Sequence, residues 1–214
     1  MNNAETLEAL GIYNPSQTIT FAATQADYHP VINEIIDGPI EVQEVIGKGG
    51  MGVVYLATQK IPARKIAIKR LINQHPRLAN ALIHEALITG SLEHPTIIPI
   101  HSVNLTGPNG PEVIMKRVQG KSILELLQEP DLYDLDELLN ALIQVCNGLE
   151  YAHSHSIFHR DVKPENIMLG EFGEVYLLDW GIAVKRGETS PYGLVGTPAY
   201  LAPEMLSADP QDID

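Results

Sequence analysis

The chain has 214 residues, 44% of them hydrophobic, with 14 Lys+Arg against 27 Asp+Glu and a formal net charge of −13. That hydrophobic share excludes a largely disordered chain, and the acidity speaks against sequence-independent nucleic-acid binding. The one cysteine, Cys146, excludes an internal disulfide and a cysteine-rich zinc module, suits a reducing compartment and reads as a small core residue. No apolar run nears the ~18–20 residues that cross a bilayer. The opening MNNAETLEALG lacks a basic and a long apolar leader region, so neither a membrane segment nor a signal peptide is expected.

Residues 1–39 show no sustained period and read as an acidic extension, the first 40 residues holding five acids and no Lys or Arg. The pattern changes at Ile40. IEVQEVI (40–46) alternates apolar and polar, as a half-buried strand does. A glycine cluster runs from Gly47 to Gly52, and VVYLA (53–57) predicts a second strand by its β-branched content. Pro62 and Ala63 mark a turn, and KIAIK (65–69) is a third alternating strand. From Arg77 to Thr89 the period becomes helical, with Leu78, Leu82, Glu85 and Thr89 on one stripe. Residues 97–105 and 112–118 read as two more strands around a Gly-Pro-Asn-Gly turn at 107–110.

After Gly120 the reading turns helical. Ser122 caps ILELLQ, and a longer helix over Leu135–His153 turns Leu138, Leu139, Leu142, Val145, Leu149 and Ala152 inward. Short strands NIMLG and EVYLLD follow, joined by a turn with Gly170 and Gly173, and the tail from Trp180 is loop-like. A β-rich lobe followed by a helical lobe predicts an α+β, two-lobed fold.

Gly47-x-Gly49-x-x-Gly52 alone fits a dinucleotide-binding turn, a phosphate-covering hairpin or a plain tight loop. A dinucleotide fingerprint opens a helix and is followed by an acid about 20 residues on. Here a strand follows, and no acid falls between Gly52 and Glu85. Lys69, seventeen residues past Gly52, is placed to reach phosphates. Glu85 lies among apolar residues of the helical stripe, where a carboxylate is costly unless paired, and Lys69 is the obvious partner. In the run His159-Arg160-Asp161-Val162-Lys163-Pro164-Glu165-Asn166, followed by Asp179-Trp180-Gly181, Asp161, Asn166 and Asp179 offer oxygen donors suited to Mg²⁺ and a hydroxyl proton. His153, His155 and His159 have metal-like spacing, but they end a helix and run into this motif, so no metal site is assigned to them.

Taken together these runs resemble a bacterial eukaryotic-like Ser/Thr protein kinase. IGKGGMGVVYLA resembles the family's Gly-rich loop and IAIK its strand lysine. HEALITGSLEHPTIIPIH resembles the αC helix and the loop after it, HRDVKPENIML the catalytic loop, DWG the magnesium motif and GTPAYLAPE the end of the activation segment. The resemblance covers residues 40–214, in the family's order. It implies an N-lobe over 40–115 with one helix, αC, a hinge over 116–120 and a partial C-lobe over 121–214. It also implies an ATP- and Mg²⁺-dependent enzyme that phosphorylates Ser/Thr hydroxyls of protein substrates. An inactive fragment or a nucleotide-binding scaffold is the alternative.

By the resemblance, Lys69 holds the α/β-phosphates and pairs with Glu85. Asp161 orients the substrate hydroxyl, Lys163 touches the γ-phosphate, and Asn166 and Asp179 hold Mg²⁺. Ile46, Gly47, Gly49 and Gly52 cover the nucleotide. Val54, Ala67 and Met168 sandwich adenine, with Met115 as gatekeeper and Lys116–Val118 as the hinge that meets the adenine edge. Arg160 implies an activation segment ordered by phosphate, with Thr189 and Ser190 as self-phosphorylation sites, while Thr197 shapes the substrate pocket. Two departures stand out. Trp180 replaces the usual phenylalanine, with no loss of metal binding expected. The family's C-lobe continues beyond APE, whereas this chain stops ten residues after Glu204, which predicts an incomplete domain that is inactive in isolation. With no anchor in these residues, a cytoplasmic location is expected.

Overall fold

Alternation at 40–46 and 65–69 and the β-branched run between them yield three nine-residue strands in succession: β1 (Ile40–Lys48), β2 (Gly52–Lys60) and β3 (Ala63–Leu71). The computed structural model describes residues 40–49, 52–129, 134–187 and 196–202. By contact, the chain divides into two units. One comprises the described residues up to Gly90 together with Pro99–Arg117, and the other Ser91–Ile98 together with the residues from Val118 onward.

In the first unit, β4 (Ile100–Gly107) and β5 (Gly110–Lys116) complete an antiparallel sheet of order β1-β2-β3-β5-β4. Helix α1 (Pro76–Gly90) covers one face. Leu71 and Val113 from the sheet pack with Ala79, Leu82 and Ala86 from α1, while Ala57, Ile66, Ile68 and Ile114 form a second cluster. The expected α1 stripe is buried at Leu82, Glu85 and Thr89, with Leu78 partly covered. β1 forms the sheet edge and is exposed along most of its length.

The second unit begins with β6 (Gly120–Ser122) and the short helix α2 (Ile123–Leu127). Ser122 caps α2 as expected, and the cap is reciprocal. Its Oγ accepts from the Glu125 N–H at 3.2 Å, and its own N–H donates to Glu125 Oε2 at 2.7 Å. Helix α3 (Leu135–Ser154) follows, capped by Asp134, whose Oδ1 accepts from the Asp136 N–H. β7 (Ile157–Phe158) pairs with β10 (Val184–Lys185). β6, β8 (Ile167–Gly170) and β9 (Val175–Leu177) form a three-stranded antiparallel sheet. The tail read as loop therefore contains β10 and a 3₁₀ turn at Pro198–Tyr200.

The inward face of α3 differs from expectation. Its buried residues are Leu138, Ala141, Val145, Gly148 and Ala152, whereas Leu139 is 48% and Leu142 45% exposed and Leu149 is half-buried. The face combines Leu138 and Val145 with the small residues Ala141, Gly148 and Ala152, and Thr96 packs closely against Gly148. A Cβ on Gly148 would stand 3.2 Å from Thr96 Cβ, and Thr96 Oγ1 donates to the Gln144 carbonyl. Weighing leucines over Ala and Gly rotates the apparent stripe away from this seam. Cys146 falls outside it and is exposed, not a core residue. Among the described residues, no helix is long and apolar enough to cross a membrane.

Candidate functional site

In the first unit the glycine run closes the β1–β2 hairpin. Gly47 pairs with Val54, and the Gly49 N–H donates to the Gly52 carbonyl at 2.9 Å. At Gly52 only glycine fits, because a Cβ would lie 2.5 Å from the Arg70 carbonyl oxygen on β3. Ile46, on β1, is 45% exposed.

Directly opposed residues of antiparallel strands share a face. Val54 opposes Lys69, Lys69 opposes Val113, and Ala67 opposes both Leu56 and Met115. Val54, Ala67, Lys69 and Met115 thus lie on the face that also carries Val113, where α1 packs. Lys69 Nζ lies 2.6 and 2.7 Å from the two carboxylate oxygens of Glu85 on α1. The side chains are only 14% and 10% exposed, so each charge depends on the other for compensation. The Lys116 N–H donates to the Pro99 carbonyl at 3.0 Å. Val118 and Met168 belong to the second unit, where Met168 pairs with Ser122 and Tyr176 across the three-stranded sheet.

In the second unit the polar side chains converge on the segment after β7. His159 is 1% exposed. The Asp161 N–H donates to its Nδ1 at 3.2 Å, which leaves Nε2 as the protonated nitrogen donating to the Leu178 carbonyl at 2.9 Å. Burial drives its pKa down to about 4, against the Leu178 hydrogen bond and the Asp179 and Asp161 charges, so the ring is neutral. Arg160 takes the left-handed backbone conformation, φ +67°, and its guanidinium donates to the Ile182 carbonyl.

Asp161 sits at the centre. Its Oδ2 accepts from Lys163 Nζ at 2.7 Å and from Asn166 Nδ2 at 3.1 Å. Its Oδ1 accepts from the Thr197 hydroxyl at 2.7 Å and the Thr197 N–H at 3.2 Å. Lys163 Nζ also donates to Thr197 Oγ1 at 2.8 Å. Burial raises the Asp161 pKa, but the Lys163 and Thr197 hydrogen bonds, the Lys163 charge and the Asn166 amide outweigh it and hold the carboxyl below its usual value. Thr197, expected only at a substrate pocket, thus belongs to this network. The preceding Gly196 has φ +130°, and a Cβ there would meet Leu201 Cδ2 at 2.7 Å.

Asn166 ends a 3₁₀ turn (Pro164–Asn166), and its Nδ2 also donates to the Asp161 carbonyl at 2.8 Å. With the amide nitrogen so engaged, Oδ1 is the donor atom left for a cation. The Leu178 N–H donates to the Asn166 carbonyl at 2.7 Å, which ties the stretch leading to Asp179 to this turn. An amide and a carboxylate oxygen suit a hard cation such as Mg²⁺, which completes its shell with phosphate oxygens and water. Among the described residues no group of three or more His, Cys, Asp or Glu forms a metal cage. The His153 ring lies tilted against Phe158 and the His155 ring tilted against Tyr151. Thr189, Ser190 and Glu204 lie outside the described residues.

Residues 40–213 match the protein kinase domain family. The chain is 32% identical over 224 residues to the serine/threonine-protein kinase PknD of Protochlamydia amoebophila, covering 88% of this chain and 22% of that protein. It is 34% identical over 189 residues to the probable serine/threonine-protein kinase PknB of Corynebacterium glutamicum, covering 83% of this chain and 29% of that protein. The chain thus spans less than a third of the length of these relatives. With the ordered motifs, the Lys69–Glu85 pair and the Asp161 network all present, the chain belongs to the protein kinase domain family.

Proposed function

We propose that this chain carries the phosphoryl-transfer chemistry of a bacterial Ser/Thr protein kinase, moving the γ-phosphate of ATP to serine or threonine hydroxyls of protein substrates. The observation that carries the reading is the convergence of Lys163, Asn166 and Thr197 on one partly buried carboxylate, Asp161. In this reading Asp161 orients the substrate hydroxyl and accepts its proton as the new O–Pγ bond forms and the bond from Pγ to the β-phosphate oxygen breaks, releasing ADP. Its depressed pKa keeps it ionised, so it acts chiefly by aiming the nucleophile. Lys163 neutralises the transferring phosphoryl group, Lys69 holds the α/β-phosphates, and Glu85 fixes Lys69. When bound by Asn166 and Asp179, Mg²⁺ neutralises phosphate charge. Ile46, Gly47, Gly49 and Gly52 cover the nucleotide, and Val54, Ala67, Met115, Lys116, Val118 and Met168 receive adenine.

Residues 121–214 hold seventeen acids and five bases, which favours substrates with basic residues around the acceptor. Self-phosphorylation at Thr189 or Ser190 and a cytoplasmic site of action belong to the same reading. The test compares two variants by nucleotide titration and phosphate transfer. Asp161→Asn should bind ATP·Mg²⁺ nearly as the parent does and lose transfer. Asp179→Asn should lose Mg²⁺-dependent nucleotide affinity. Equal loss of affinity in both would refute the division of roles.

A further inference from the structure

The chain has a single tryptophan, and it follows Asp179 directly. Trp180 is fully buried, with its ring edge-on to His159 at 4.5 Å between centroids. A phenylalanine could make that contact. It could not make the second one, in which the indole Nε1–H donates to the Leu177 carbonyl at 3.3 Å. This bond spans three residues and encloses Leu178 and Asp179. Asp179 has φ +59°, a backbone conformation disfavoured for a residue with a Cβ, which persists only where the surroundings enforce it.

The surroundings of Asp179 are anchored on its N-terminal side. The Leu177 N–H donates to the Thr96 carbonyl at 2.6 Å, and Leu177 bridges Ile97. Leu178 donates to the Asn166 carbonyl and accepts from His159 Nε2. On the C-terminal side the Trp180 carbonyl accepts from the Ala183 N–H at 3.0 Å, closing a turn. The indole bond ties that turn back to the anchored end of β9, across the strained residue.

We propose that Trp180 is a positioning residue: its indole N–H, bonded to the Leu177 carbonyl, latches the left-handed backbone at Asp179 and so holds the carboxylate ready for the metal before metal or nucleotide arrives. The inference rests on the assignment of Asp179 as a metal ligand. Without the latch, part of the ordering is left to the binding step, and apparent metal affinity falls by the fraction of molecules not already in the competent state.

Because the tryptophan is unique, it can be replaced without touching any other site. Trp180→Phe keeps an aromatic ring but loses volume as well as the donor. The isosteric analogue 3-benzothienylalanine, in which sulfur replaces the indole N–H, separates the two effects. In the full protein, both replacements should raise the Mg²⁺ concentration for half-maximal nucleotide binding about three- to tenfold, the size of one buried hydrogen bond. Nucleotide affinity measured in EDTA should stay within twofold of the parent. In the metal-free protein, amide hydrogen exchange over residues 180–183 should speed up by a similar factor. A metal half-saturation and exchange rate unchanged in the analogue, alongside loss of metal dependence in Asp179→Asn, would overturn the latch and leave the metal assignment standing. An Asp179→Asn variant with the parent's metal dependence would remove the metal assignment and the latch with it.

Discussion

Replacing Thr197 by alanine removes one hydroxyl that donates to Asp161 Oδ1 at 2.7 Å and accepts from Lys163 Nζ at 2.8 Å. Hydrogen bonds to charged groups are worth about 1.5–3 kcal/mol each. The backbone N–H of residue 197 still donates to Asp161 Oδ1, and Lys163 still reaches Oδ2, so the carboxylate is not orphaned. Water replaces part of what is lost, because the Asp161 and Lys163 side chains keep 11% and 19% of their surface exposed. The net loss in positioning is therefore about one such bond, roughly a 10- to 150-fold fall in turnover at ~1.4 kcal/mol per decade. Thr197→Ser keeps the hydroxyl and should stay within a few-fold of the parent. The assay is initial-rate phosphate transfer at saturating ATP, followed against pH. Because the Thr197 hydroxyl helps hold the Asp161 pKa down, its loss should move the acidic limb of the profile upward. A Thr197→Ala enzyme with turnover within twofold of the parent and an unmoved acidic limb would refute this account of the network.

Lys69→Met should keep the same secondary structure at a lower thermal midpoint, since it removes the charge facing Glu85, and cut phosphate transfer by several orders of magnitude; circular dichroism with a transfer assay checks both, and near-parental turnover would remove the Lys69 assignment. Phosphopeptide mapping after incubation with ATP should find phosphate on Thr189 or Ser190, and phosphate found only outside residues 182–197 would count against an activation segment there. His159 is neutral in the folded protein with a pKa of about 4, against about 6.5 when unfolded, so the unfolded chain binds the extra proton as pH falls through that window. Its contribution is intact above pH 6.5 and costs about 2 kcal/mol by pH 5. Burial, with Arg64 and Lys116, lowers His101 to about 4 as well, and the two act in the same direction. The thermal midpoint should therefore drop between pH 7 and 5, and a flat profile would contradict a buried neutral His159.

Period-2 patterning was enough to read β1 and β3, and β-branched content to read β2, because in each the local sequence carries the signal. The Ser122–Glu125 cap was half read. Its serine was recognised, whereas the reciprocal Glu125 bond depends on a residue that also passes for an ordinary helix former. The face of α3 was misread for a packing reason. Periodicity weighs side chains by hydrophobicity, but this seam is set by how closely Thr96 approaches, and that favours Gly148 and Ala141 over Leu139 and Leu142. Nothing near Gly148 in the chain announces Thr96, which lies 48 residues before Gln144, its hydrogen-bond acceptor. For the same reason Cys146 passed for a core residue.

The site was legible where a residue stood out against its neighbours. Glu85 is a carboxylate on an apolar stripe, and burying it unpaired is so costly that the search for a partner is forced; Lys69 answers it across 16 residues. Asp161, Asn166 and Asp179 were visible by their spacing within and after one motif. Thr197 and Trp180 carry no such contrast. A threonine in a Gly-Pro loop is ordinary, and its hydroxyl gains meaning only when the fold returns it to Asp161, 36 residues away. Tryptophan next to Asp179 reads as a bulkier phenylalanine until the indole N–H is seen to reach the Leu177 carbonyl. Both contacts come from groups that are inexpensive to leave in a solvated loop, so sequence gives no warning of them. They acquire energetic weight from burial beside a charge or a strained backbone, a property of the folded chain and not of the residue.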